Sequence, residues 1–570
     1  MTEKLEEALW EAWLGLKRKE KIKREELKVE RPADEGRGDY ACSLALKVAS
    51  AENPLEIAKL LAEKLQEKKM EGVGEIEAVA PGFVNFRLSD DWLIRQGKRV
   101  LDGKKFLEEL GKTAKGKVMV IDYSAPNIAK PFGIGHLRST NIGQAIYNLY
   151  RALGWKTIGD NHLGDWGTQF GKLMVAIKSW WEADLSALTI ADLEELYVRF
   201  HREAEDNEEL NEQARMWFKQ LEEGNEEAVE MWEFCVKVSL REFERVYQAL
   251  GVEIDVAYGE SFYSQGGWMD KVLVDVKALG LGQTSEGALV MEVPGEKVPA
   301  MLVKSDGGTT YLLRDLATIK FRQEKWNPDL VVYEVGADHK LHFRQVFAAA
   351  GELGYLPKAK LVHVAHGMMR WKEGKFSTRK GTTIKMEEVL QEAVRRAKAL
   401  AEGSQTGQEM SEEEKEMVAK TVGIGAVKFN DLKQEPERDV MFDFDKALMM
   451  EGYAAPYLQY TFSRCRAILG KAGGLKGGFD GKGDINEEER GLLRSFWRFE
   501  EVIMEAAERF APNFLCQYLF DLSQRYSEFY TKHRVVGSKE EKFRLWLTAV
   551  TAKILEQGLE ILGIGVAERM

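Results

Sequence analysis

The stretch from residue 117 to residue 160 constrains the fold of this chain more than any other. It opens with KVMVIDYS (117–124), a continuous apolar run that is typical of a strand covered on both faces of a parallel sheet. Apolar residues then recur at helical spacing between Ile142 and Leu153, which predicts one buried helix face, and WKTIGD (155–160) predicts a second strand. Strand, helix and strand in this order predict a βαβ unit.

The turn between this strand and this helix, SAPNIAKPFGIGHLRST (124–140), predicts a site for a phosphate or another oxyanion. Ligands of open α/β sheets lie at the carboxyl ends of strands, and Gly133 and Gly135 let a ligand approach the backbone closely. The free N–H groups and the dipole of a helix start favour an anion there. Further hydrogen-bond donors come from three side chains of the turn: Lys130, His136 and Arg138.

The patterns along the rest of the chain predict three domains and a linker. An α/β Rossmann-type domain with a parallel sheet follows an α+β domain and precedes an all-α domain. The predicted boundaries are 1–110 for the α+β domain, 111–390 for the α/β domain with a helical insertion at about 172–255, 391–445 for a helical linker, and 446–570 for the all-α domain. Two further strands of the sheet are predicted in 329–339 and 360–369, and a small antiparallel meander in 287–313.

Composition excludes several classes of protein. With 44% hydrophobic and 31% charged residues, the chain is neither disordered nor fibrous. It lacks both an apolar run long enough to span a bilayer and a signal-peptide core, so we expect no membrane association. Its four cysteines form no CxxC pair, which predicts reduced thiols in a cytoplasmic protein and no zinc site.

The formal net charge of −12 makes non-specific binding of nucleic acid unfavourable, because such binding depends on many Lys and Arg contacts to phosphate. The acidic excess is uneven, since residues 446–570 hold 18 basic and 17 acidic residues. A polyanionic partner is therefore expected to bind locally, on one face.

The string at 124–140 resembles the first signature of class I aminoacyl-tRNA synthetases, named HIGH, in the extended form that is peculiar to the arginyl-tRNA synthetases. GKFSTRKG (374–381) follows a predicted strand, where that family has its second signature, KMSKS. Other strings resemble the family in the same order along nearly the whole chain: DNHLGDWGTQFGKL (160–173), GESFY (259–263), TTYLLRDLA (309–317), GADHKLHFRQVF (336–347), APYLQYTFSR (455–464) and ERM (568–570). Two positions depart from the signatures, because Gly133 replaces the first His of HIGH and Thr378 replaces the second Lys of KMSKS.

The resemblance implies a two-step reaction. The carboxylate of L-arginine attacks the α-phosphate of ATP, which carries Mg²⁺, to give arginyl-adenylate and pyrophosphate, and the terminal ribose of tRNA-Arg then takes the arginyl group. The family also implies that activation of arginine requires bound tRNA, and we expect the chain to be a monomer. Two alternatives stay open: an RNA-binding or regulatory protein that has lost catalysis, supported by the two departures, and a class I synthetase for another amino acid, opposed by the SAPNIAK string and the acidic residues below.

The resemblance carries site residues over one position at a time. For the arginine substrate they are Asp122, Ser124, Asn127, Tyr311, Asp315 and Gln345, of which the two acids suit the planar donors of a guanidinium. For phosphate chemistry they are Lys130, His136, Lys375, Ser377, Arg379 and Lys380, and Lys130 is expected to replace the charge that Thr378 lacks. For ATP they are Gly133, Gly135, His136, His162, Asp165, Trp166, Gly167, Gln169, Gly336, Asp338 and His339, with backbone atoms of Gly367 and Met368 for adenine.

The carboxyl-terminal domain resembles the family's anticodon-binding domain, and residues 1–110 resemble the module that meets the tRNA elbow. Four residues of the 455–464 string are candidates for tRNA contacts: Tyr457, Gln459, Tyr460 and Arg464. Unpaired bases are recognised by stacking on aromatic rings and by hydrogen bonds to their edges. Tyrosines at this spacing also occur in helical cores with one polar end in water, so both roles stay open at this stage.

Overall fold

The computed structural model describes residues 1–16, 18, 22–32, 34–49, 53–371, 384–475, 479 and 484–570. The chain forms two compact units. The first unit contains Met1–Phe106, Cys465–Glu501 and Leu522–Ile554, and the second contains Leu107–Arg464, Val502–Asp521 and Leu555–Met570. None of the described helices is long and apolar enough to cross a membrane.

The first unit contains a four-stranded antiparallel sheet in the order β1-β2-β4-β3. Its strands are β1 (Val29–Glu30), β2 (Tyr40–Cys42), β3 (Val73–Val79) and β4 (Phe83–Leu88). The amino-terminal helices are α1 (Thr2–Gly15), α2 (Leu44–Val48), α3 (Pro54–Gln66), α4 (Asp90–Leu101) and α5 (Gly103–Leu110). Helix α3 follows the predicted period, because its buried residues Ile57, Leu61 and Leu65 recur every four positions.

The second unit contains a parallel sheet in the order β11-β10-β5-β6. Its strands are β5 (Val118–Asp122), β6 (Lys156–Asp160), β10 (Leu330–Gly336) and β11 (Lys360–His366). Helix α6 (Leu137–Ala152) connects β5 to β6, and every residue from Leu137 to Tyr150 is buried. These elements are the predicted βαβ unit and the two further predicted strands, and the predicted fold class is confirmed.

Helices fill most of the segment predicted to be helical. The helices between β6 and the next strand are α7 (Thr168–Trp180), α8 (Ile190–Ala204), α9 (Glu208–Glu222), α10 (Glu226–Leu250), α11 (Glu260–Gln265) and α12 (Trp268–Ala278). An antiparallel meander follows, formed by β7 (Gly282–Ser285), β8 (Ala288–Met291) and β9 (Ala300–Val303). It begins and ends earlier than predicted, because Gly307 and Gly308 form the turn that leads into the next helix, α13 (Tyr311–Trp326).

The remaining elements complete the second unit and supply the helices that both units share. They are α14 (Lys340–Glu352), β12 (Met369–Trp371), α15 (Met386–Gly403), α16 (Gln405–Gln408), α17 (Glu412–Leu432), β13 (Val440–Phe442), α18 (Phe444–Ala447), α19 (Ala455–Lys471), α20 (Glu487–Glu508), α21 (Asn513–Lys532) and α22 (Glu541–Ile561). Each of the last four helices contributes residues to both units. The second unit therefore includes carboxyl-terminal residues: the Tyr150 ring stacks on Phe510, and its hydroxyl donates to the Ala507 carbonyl at 3.2 Å.

Candidate active site

The sheet order locates a cleft at the carboxyl ends of β5 and β10. These strands are neighbours, but the chain leaves β5 through α6 toward β6 on one side and leaves β10 through α14 toward β11 on the other. Such a divergence opens a crevice where ligands bind in open α/β sheets. The residues that end the two strands, Asp122 and Gly336, belong to the strings singled out in the sequence.

The loop after β5 is held in an unusual backbone conformation. Ser124, Ala125 and Ala129 have positive φ angles of 74°, 43° and 63°, a region that costs a non-glycine residue conformational energy. Backbone hydrogen bonds to side chains fix this shape: Ser124 N donates to Ser139 Oγ (2.9 Å), Ala125 N to Asn161 Oδ1 (3.0 Å) and Ala129 N to Ser239 Oγ (2.9 Å). The surrounding elements thus hold the loop in one shape before any ligand binds.

A buried group of hydroxyls joins this loop to helices α6 and α10. Ser124 Oγ lies 2.8 Å from both Thr140 Oγ1 and Tyr247 OH, and Asn161 Nδ2 donates to Tyr247 OH at 3.0 Å. Ser124 is 3% exposed, so its hydroxyl supports the loop and does not face a ligand. The roles of Tyr247, Asn161 and Ser239 were not predictable from the sequence, because they depend on contacts with residues distant in the chain.

Tyr247→Phe is expected to reduce the free energy of unfolding by ~1–3 kcal/mol, because it leaves two buried polar groups without their shared partner. Chemical denaturation of the variant and the parent measures this difference. Tyr197→Phe, which changes a tyrosine outside this hydroxyl group, is the control. A Tyr247→Phe protein as stable as the parent would contradict the assignment.

Backbone hydrogen bonds join the first signature to the residues that follow the second signature. Ile134 N donates to the Ile384 carbonyl and Met386 N donates to the Phe132 carbonyl, each at 2.9 Å. Helix α6 begins directly after this pairing, and a Cβ added to Gly135 would meet open space. The helix start is therefore accessible to a ligand that binds backbone N–H groups. Lys375, Ser377, Thr378, Arg379 and Lys380 lie outside the described residues.

His136, at the start of α6, is held in its neutral form. Burial, followed by the neighbouring charges of His366 and Lys130, lowers the pKa of His136 to about 4. His366 behaves in the opposite way: burial lowers its pKa, but the Glu334 carboxylate, which lies 3.0 Å from Nδ1, outweighs burial and raises it. At neutral pH the His136 imidazole can thus donate or accept one hydrogen bond without carrying charge.

His136 should make stability depend on pH. Between pH ~6.5 and ~4 the unfolded chain protonates this histidine while the folded chain does not, so the free energy of unfolding should fall as pH falls through this window. His136→Gln should lack that contribution, and the stability difference between parent and variant should therefore change with pH. Denaturant titrations at about pH 7, 5.5 and 4.5 test this, and a difference that is constant across the three conditions would contradict it.

Arg138 does not provide the donor for an oxyanion that the sequence suggested. Its side chain is 1% exposed, and Nε donates to Asp431 Oδ1 at 2.8 Å. Its Nη1 donates to the Gly367 carbonyl at 3.0 Å, so the guanidinium is committed to the protein interior. Asp431 lies on α17 and also accepts from Asn141 Nδ2 at 3.2 Å, which ties α6 to α17.

The residues predicted for the arginine side chain have different environments. Asp122 is buried, and its Oδ2 accepts from Arg322 Nη2 at 2.7 Å. Asp315 is partly exposed, and its Oδ2 lies 2.5 Å from His342 Nε2. Both carboxylates act on the buried Tyr333: burial raises the pKa of that hydroxyl, Arg322 lowers it, and the charges of Asp122 and Asp315 raise it further. Asp122 is the register partner of Tyr333 on the adjacent strand, and Asp315 lies on α13 beside His342.

The other predicted arginine contacts lie at the surface. Tyr311 is 71% exposed, at the start of α13. Gln345 donates through Nε2 to the Val298 carbonyl at 3.1 Å, and Asn127 is exposed in the loop after β5. The predicted lysine, Lys130, is also exposed, with Nζ 5.5 Å from the centre of the Tyr197 ring.

Three of the residues predicted to contact ATP already make hydrogen bonds to other residues of the protein. Asp165 is 5% exposed and accepts from Ser261 N (2.9 Å) and Ser261 Oγ (2.6 Å), so it holds the GESFY segment in place. The N–H groups of Gly367 and Met368 donate to the Pro436 carbonyl (2.9 Å) and to Asp439 Oδ1 (2.8 Å). These two N–H groups are therefore already engaged within the protein, and the Met368 side chain is 64% exposed.

The other residues predicted to contact ATP have varied environments, and some of them have polar groups that could bind a ligand. Within the described part of the chain, His162 Nδ1 is buried without a hydrogen-bond partner. Gly167 has φ 136°, which favours glycine, and Gln169 donates weakly to the Gly164 carbonyl at 3.4 Å. Trp166 is buried and packs its ring edge to face against Trp232, so it belongs to the core. Other candidates lie at the carboxyl end of β10: Gly336, Asp338 and His339, of which the last two are exposed.

Only three of the four predicted tRNA contacts remain possible. Tyr460 is 37% exposed, and the guanidinium carbon of Arg464 lies 4.7 Å from the centre of its ring. Tyr457 is partly exposed and contacts Phe520. Gln459 is fully buried and donates to the carbonyls of Thr421 and Gly565, so the predicted base contact is wrong. That glutamine fixes the carboxyl-terminal residues of the chain.

Three sequence families match successive parts of the chain. Residues 1–88 match the arginyl tRNA synthetase N terminal domain, residues 100–444 match the catalytic domain of "tRNA synthetases class I (R)", and residues 458–570 match the DALR anticodon binding domain. The order of these matches agrees with the order of the resembling strings.

Individual proteins are similar over almost the full length. The arginine–tRNA ligase of Chloroflexus aurantiacus is 38% identical over 552 residues, which cover 95% of this chain and 94% of that protein. The arginine–tRNA ligase of Clostridioides difficile is 38% identical over 565 residues, 97% of each chain.

Solved structures agree with this similarity. The arginyl-tRNA synthetase of Thermus thermophilus has a TM-score of 0.81 at 26% identity and covers 100% of both chains. That of Plasmodium falciparum has a TM-score of 0.84, covering 100% of this chain and 99% of the other, and at 24% identity it supports the fold. Because one catalytic-domain family matches more than half of the chain and relatives at 38% identity match nearly all of it, the chain belongs to the arginyl-tRNA synthetase family of the class I aminoacyl-tRNA synthetases.

Proposed function

We propose that the chain activates L-arginine with ATP and transfers the arginyl group to the terminal ribose of tRNA-Arg, with activation dependent on the bound tRNA. In the first step a carboxylate oxygen of arginine forms a bond to the α-phosphorus while the bond to pyrophosphate breaks. The observation that carries the proposal is the crevice at the carboxyl ends of β5 and β10, where Asp122 ends β5 and the accessible start of α6 follows in the next loop, with Asp315 on the neighbouring helix α13. Such a site joins a place for a guanidinium to a place for a phosphate.

Arginine is recognised through charge and hydrogen bonds at the ends of β5 and α13. The carboxylates of Asp122 and Asp315 accept from the guanidinium, and Tyr311 and Gln345 complete the contacts to the side chain. Asn127, which is exposed beside Gly164, holds the α-amino or carboxylate end. Ser124 acts by keeping the loop in its strained shape.

The protein stabilises the transition state by position and charge, without a covalent intermediate. Backbone N–H groups at the start of α6 and the neutral His136 donate to the phosphate oxygens. Lys130, which is exposed in the loop after β5, supplies positive charge. The second signature contributes Lys375, Ser377, Arg379 and Lys380. Mg²⁺ bound to the nucleotide neutralises phosphate charge.

The adenosine part binds along glycines that lie at or after the carboxyl ends of β5, β6 and β10. The candidates that keep this role are Gly133, Gly135, His162, Gly167, Gln169, Gly336, Asp338 and His339, with the side chain of Met368. Among the described residues, no group of three or more His, Cys, Asp or Glu side chains could hold a metal ion, and we propose that Mg²⁺ binds through the phosphates of ATP.

The tRNA binds through residues 458–570 and 1–88, the regions that match the anticodon-binding and amino-terminal domain families. Tyr457, Tyr460 and Arg464 are the proposed base contacts, because an exposed ring with a guanidinium on its face suits stacking. We propose a monomer in the cytoplasm. Four buried cysteines are compatible with a reducing compartment: Cys42, Cys235, Cys465 and Cys516.

Arginine-dependent exchange between ATP and labelled pyrophosphate, measured with and without tRNA-Arg, tests the proposal. We expect exchange only when arginine and tRNA-Arg are both present, and esterified arginine on the tRNA when the reaction proceeds. Exchange with arginine alone would overturn the tRNA dependence. Binding of tRNA-Arg with no exchange under any condition would favour a protein that has lost catalysis, and exchange with another amino acid would overturn the substrate.

A further inference from the structure

A buried charged cluster lies beneath the proposed arginine site. Tyr333, Asp122 and Asp160 occupy one register across the adjacent strands β10, β5 and β6. Arg322, which is on α13, lies against this row: its Nη2 donates to Asp122 Oδ2 (2.7 Å) and to Asp160 Oδ2 (2.8 Å), and its Nε donates to Asp160 Oδ2 (3.0 Å). The guanidinium carbon lies 5.1 Å from the centre of the Tyr333 ring.

The cluster holds one more negative charge than positive charge. The side chains of Arg322 and Asp160 are 0% exposed and that of Asp122 is 10% exposed, so solvent screens these charges little. Two carboxylates face a single guanidinium, and Asp160 Oδ1 is buried with no hydrogen-bond partner among the described residues. Burial raises the pKa of Asp160, against the lowering effect of Arg322, which agrees with incomplete compensation.

The hydrogen bonds divide unequally between the two acids. Arg322 gives two of its three bonds to Asp160 and only one to Asp122. Within the described chain, Asp122 Oδ1 accepts no hydrogen bond, and Asp122 is the more exposed acid. With a single acid, the internal guanidinium and the substrate guanidinium would compete for the same carboxylate. A second acid bonded to Arg322 relieves that competition.

We propose that Asp160 and Arg322 are positioning residues that select a cationic substrate: Arg322 holds Asp122 in place, and Asp160 retains Arg322, so that one negative charge stays uncompensated until the substrate guanidinium binds. This inference rests on the proposed function, because it takes Asp122 as a contact to arginine. Neither Asp160 nor Arg322 touches the substrate. Other charged groups nearby are Asp315 with its partner His342, and His162.

Asp160→Asn is the first test, because it removes one charge while it keeps an acceptor for Arg322. The readouts are the KM for L-arginine in pyrophosphate exchange and the inhibition constant of L-citrulline, an uncharged analogue of nearly the same shape. We expect the KM for arginine to rise at least ~10-fold, with the KM for ATP and the citrulline constant changed by less than about threefold. An equal loss for arginine and citrulline, or no change for either, would overturn the proposal.

Asp275→Asn is the matched control. Asp275 accepts from Lys320 Nζ at 2.6 Å and so pairs with the same helix as Arg322, but outside the cluster. This variant should keep the preference for arginine over citrulline. If it lost that preference as Asp160→Asn is expected to, a general disturbance of α13 would explain both results and the proposal would be wrong.

A double variant separates charge from packing. Asp160→Asn combined with Arg322→Gln leaves Asp122 as the one charged member, so it restores the excess negative charge and should recover part of the preference for arginine. If Asp160→Asn alone does not fold, two other variants are compared. They are Asp160→Glu, which keeps the charge, and the double variant. Preference for arginine in both supports the proposal, and its loss in either overturns it. Exchange by the parent protein tests the proposed function separately.

Discussion

Lys130→Ala is expected to lower the kcat of arginine-dependent exchange by ~10²–10³ with little change in the KM for arginine. Pyrophosphate gains negative charge as it leaves, and Thr378 cannot supply the positive charge that a lysine usually provides there. Lys130 is exposed in the loop after β5, and its charge helps to lower the pKa of His136. We therefore expect its ammonium to serve the phosphate oxygens.

Thr378→Lys in the Lys130→Ala background should restore part of the lost rate, because the two ammonium groups would serve the same oxygens. The control is Lys172→Ala, since Lys172 also has its Nζ on an aromatic face, 6.0 Å from the centre of the Phe200 ring, and has no proposed part in catalysis. A folded Lys130→Ala protein with near-normal exchange would give the role to Arg379 or Lys380.

Asp315→Asn is expected to raise the KM for arginine at least ~30-fold while the KM for ATP changes less than twofold. Removing one partner of a desolvated charge pair costs ~2–5 kcal/mol. The asparagine keeps a hydrogen-bond partner for His342, so the lost interaction is the charge on the substrate side. Steady-state exchange at varied arginine and varied ATP measures both constants.

Asp275→Asn again serves as the control, because it removes a carboxylate that pairs with α13 through Lys320. His342→Gln tests whether the histidine matters apart from the acid. If Asp315→Asn left both kcat and the KM for arginine within twofold of the parent values, Asp315 would not contact the guanidinium, and the proposed arginine site would need another acid.

The fold and the location of the site were predictable because local patterns specify them. The run at 117–124 and the helical period after it predicted β5 and α6, and the string between them predicted the loop that carries the candidate site. Gln459 was predictable as well: it lies two positions after Tyr457, which is about 200° around a helix, so it points away from the face of Tyr457, Tyr460 and Arg464. Gln459 became a candidate because it belongs to a string that resembles the family, although its position on the helix argued against a contact.

Other features could not be predicted, because they depend on partners far along the chain. Asp122 pairs with Arg322, 200 positions away, and Arg138 pairs with Asp431, 293 positions away. A charged residue in a motif gives no sign of whether its charge faces a ligand or an internal partner. Only the packing of α13 and α17 decides that Asp122 is shared with Arg322 and that Arg138 is buried.

The sharing of carboxyl-terminal helices between the units affects how the protein is made. The second unit contains three segments of the chain, and the last of them, Leu555–Met570, supplies the Gly565 carbonyl to which Gln459 donates. Domains usually fold as they emerge from the ribosome, in order from the amino terminus. Here the strands of the catalytic sheet are synthesised long before residues 555–570, so the sheet cannot complete the packing of its unit until those residues have been made. A chain truncated before Leu555 would lack part of the catalytic unit itself.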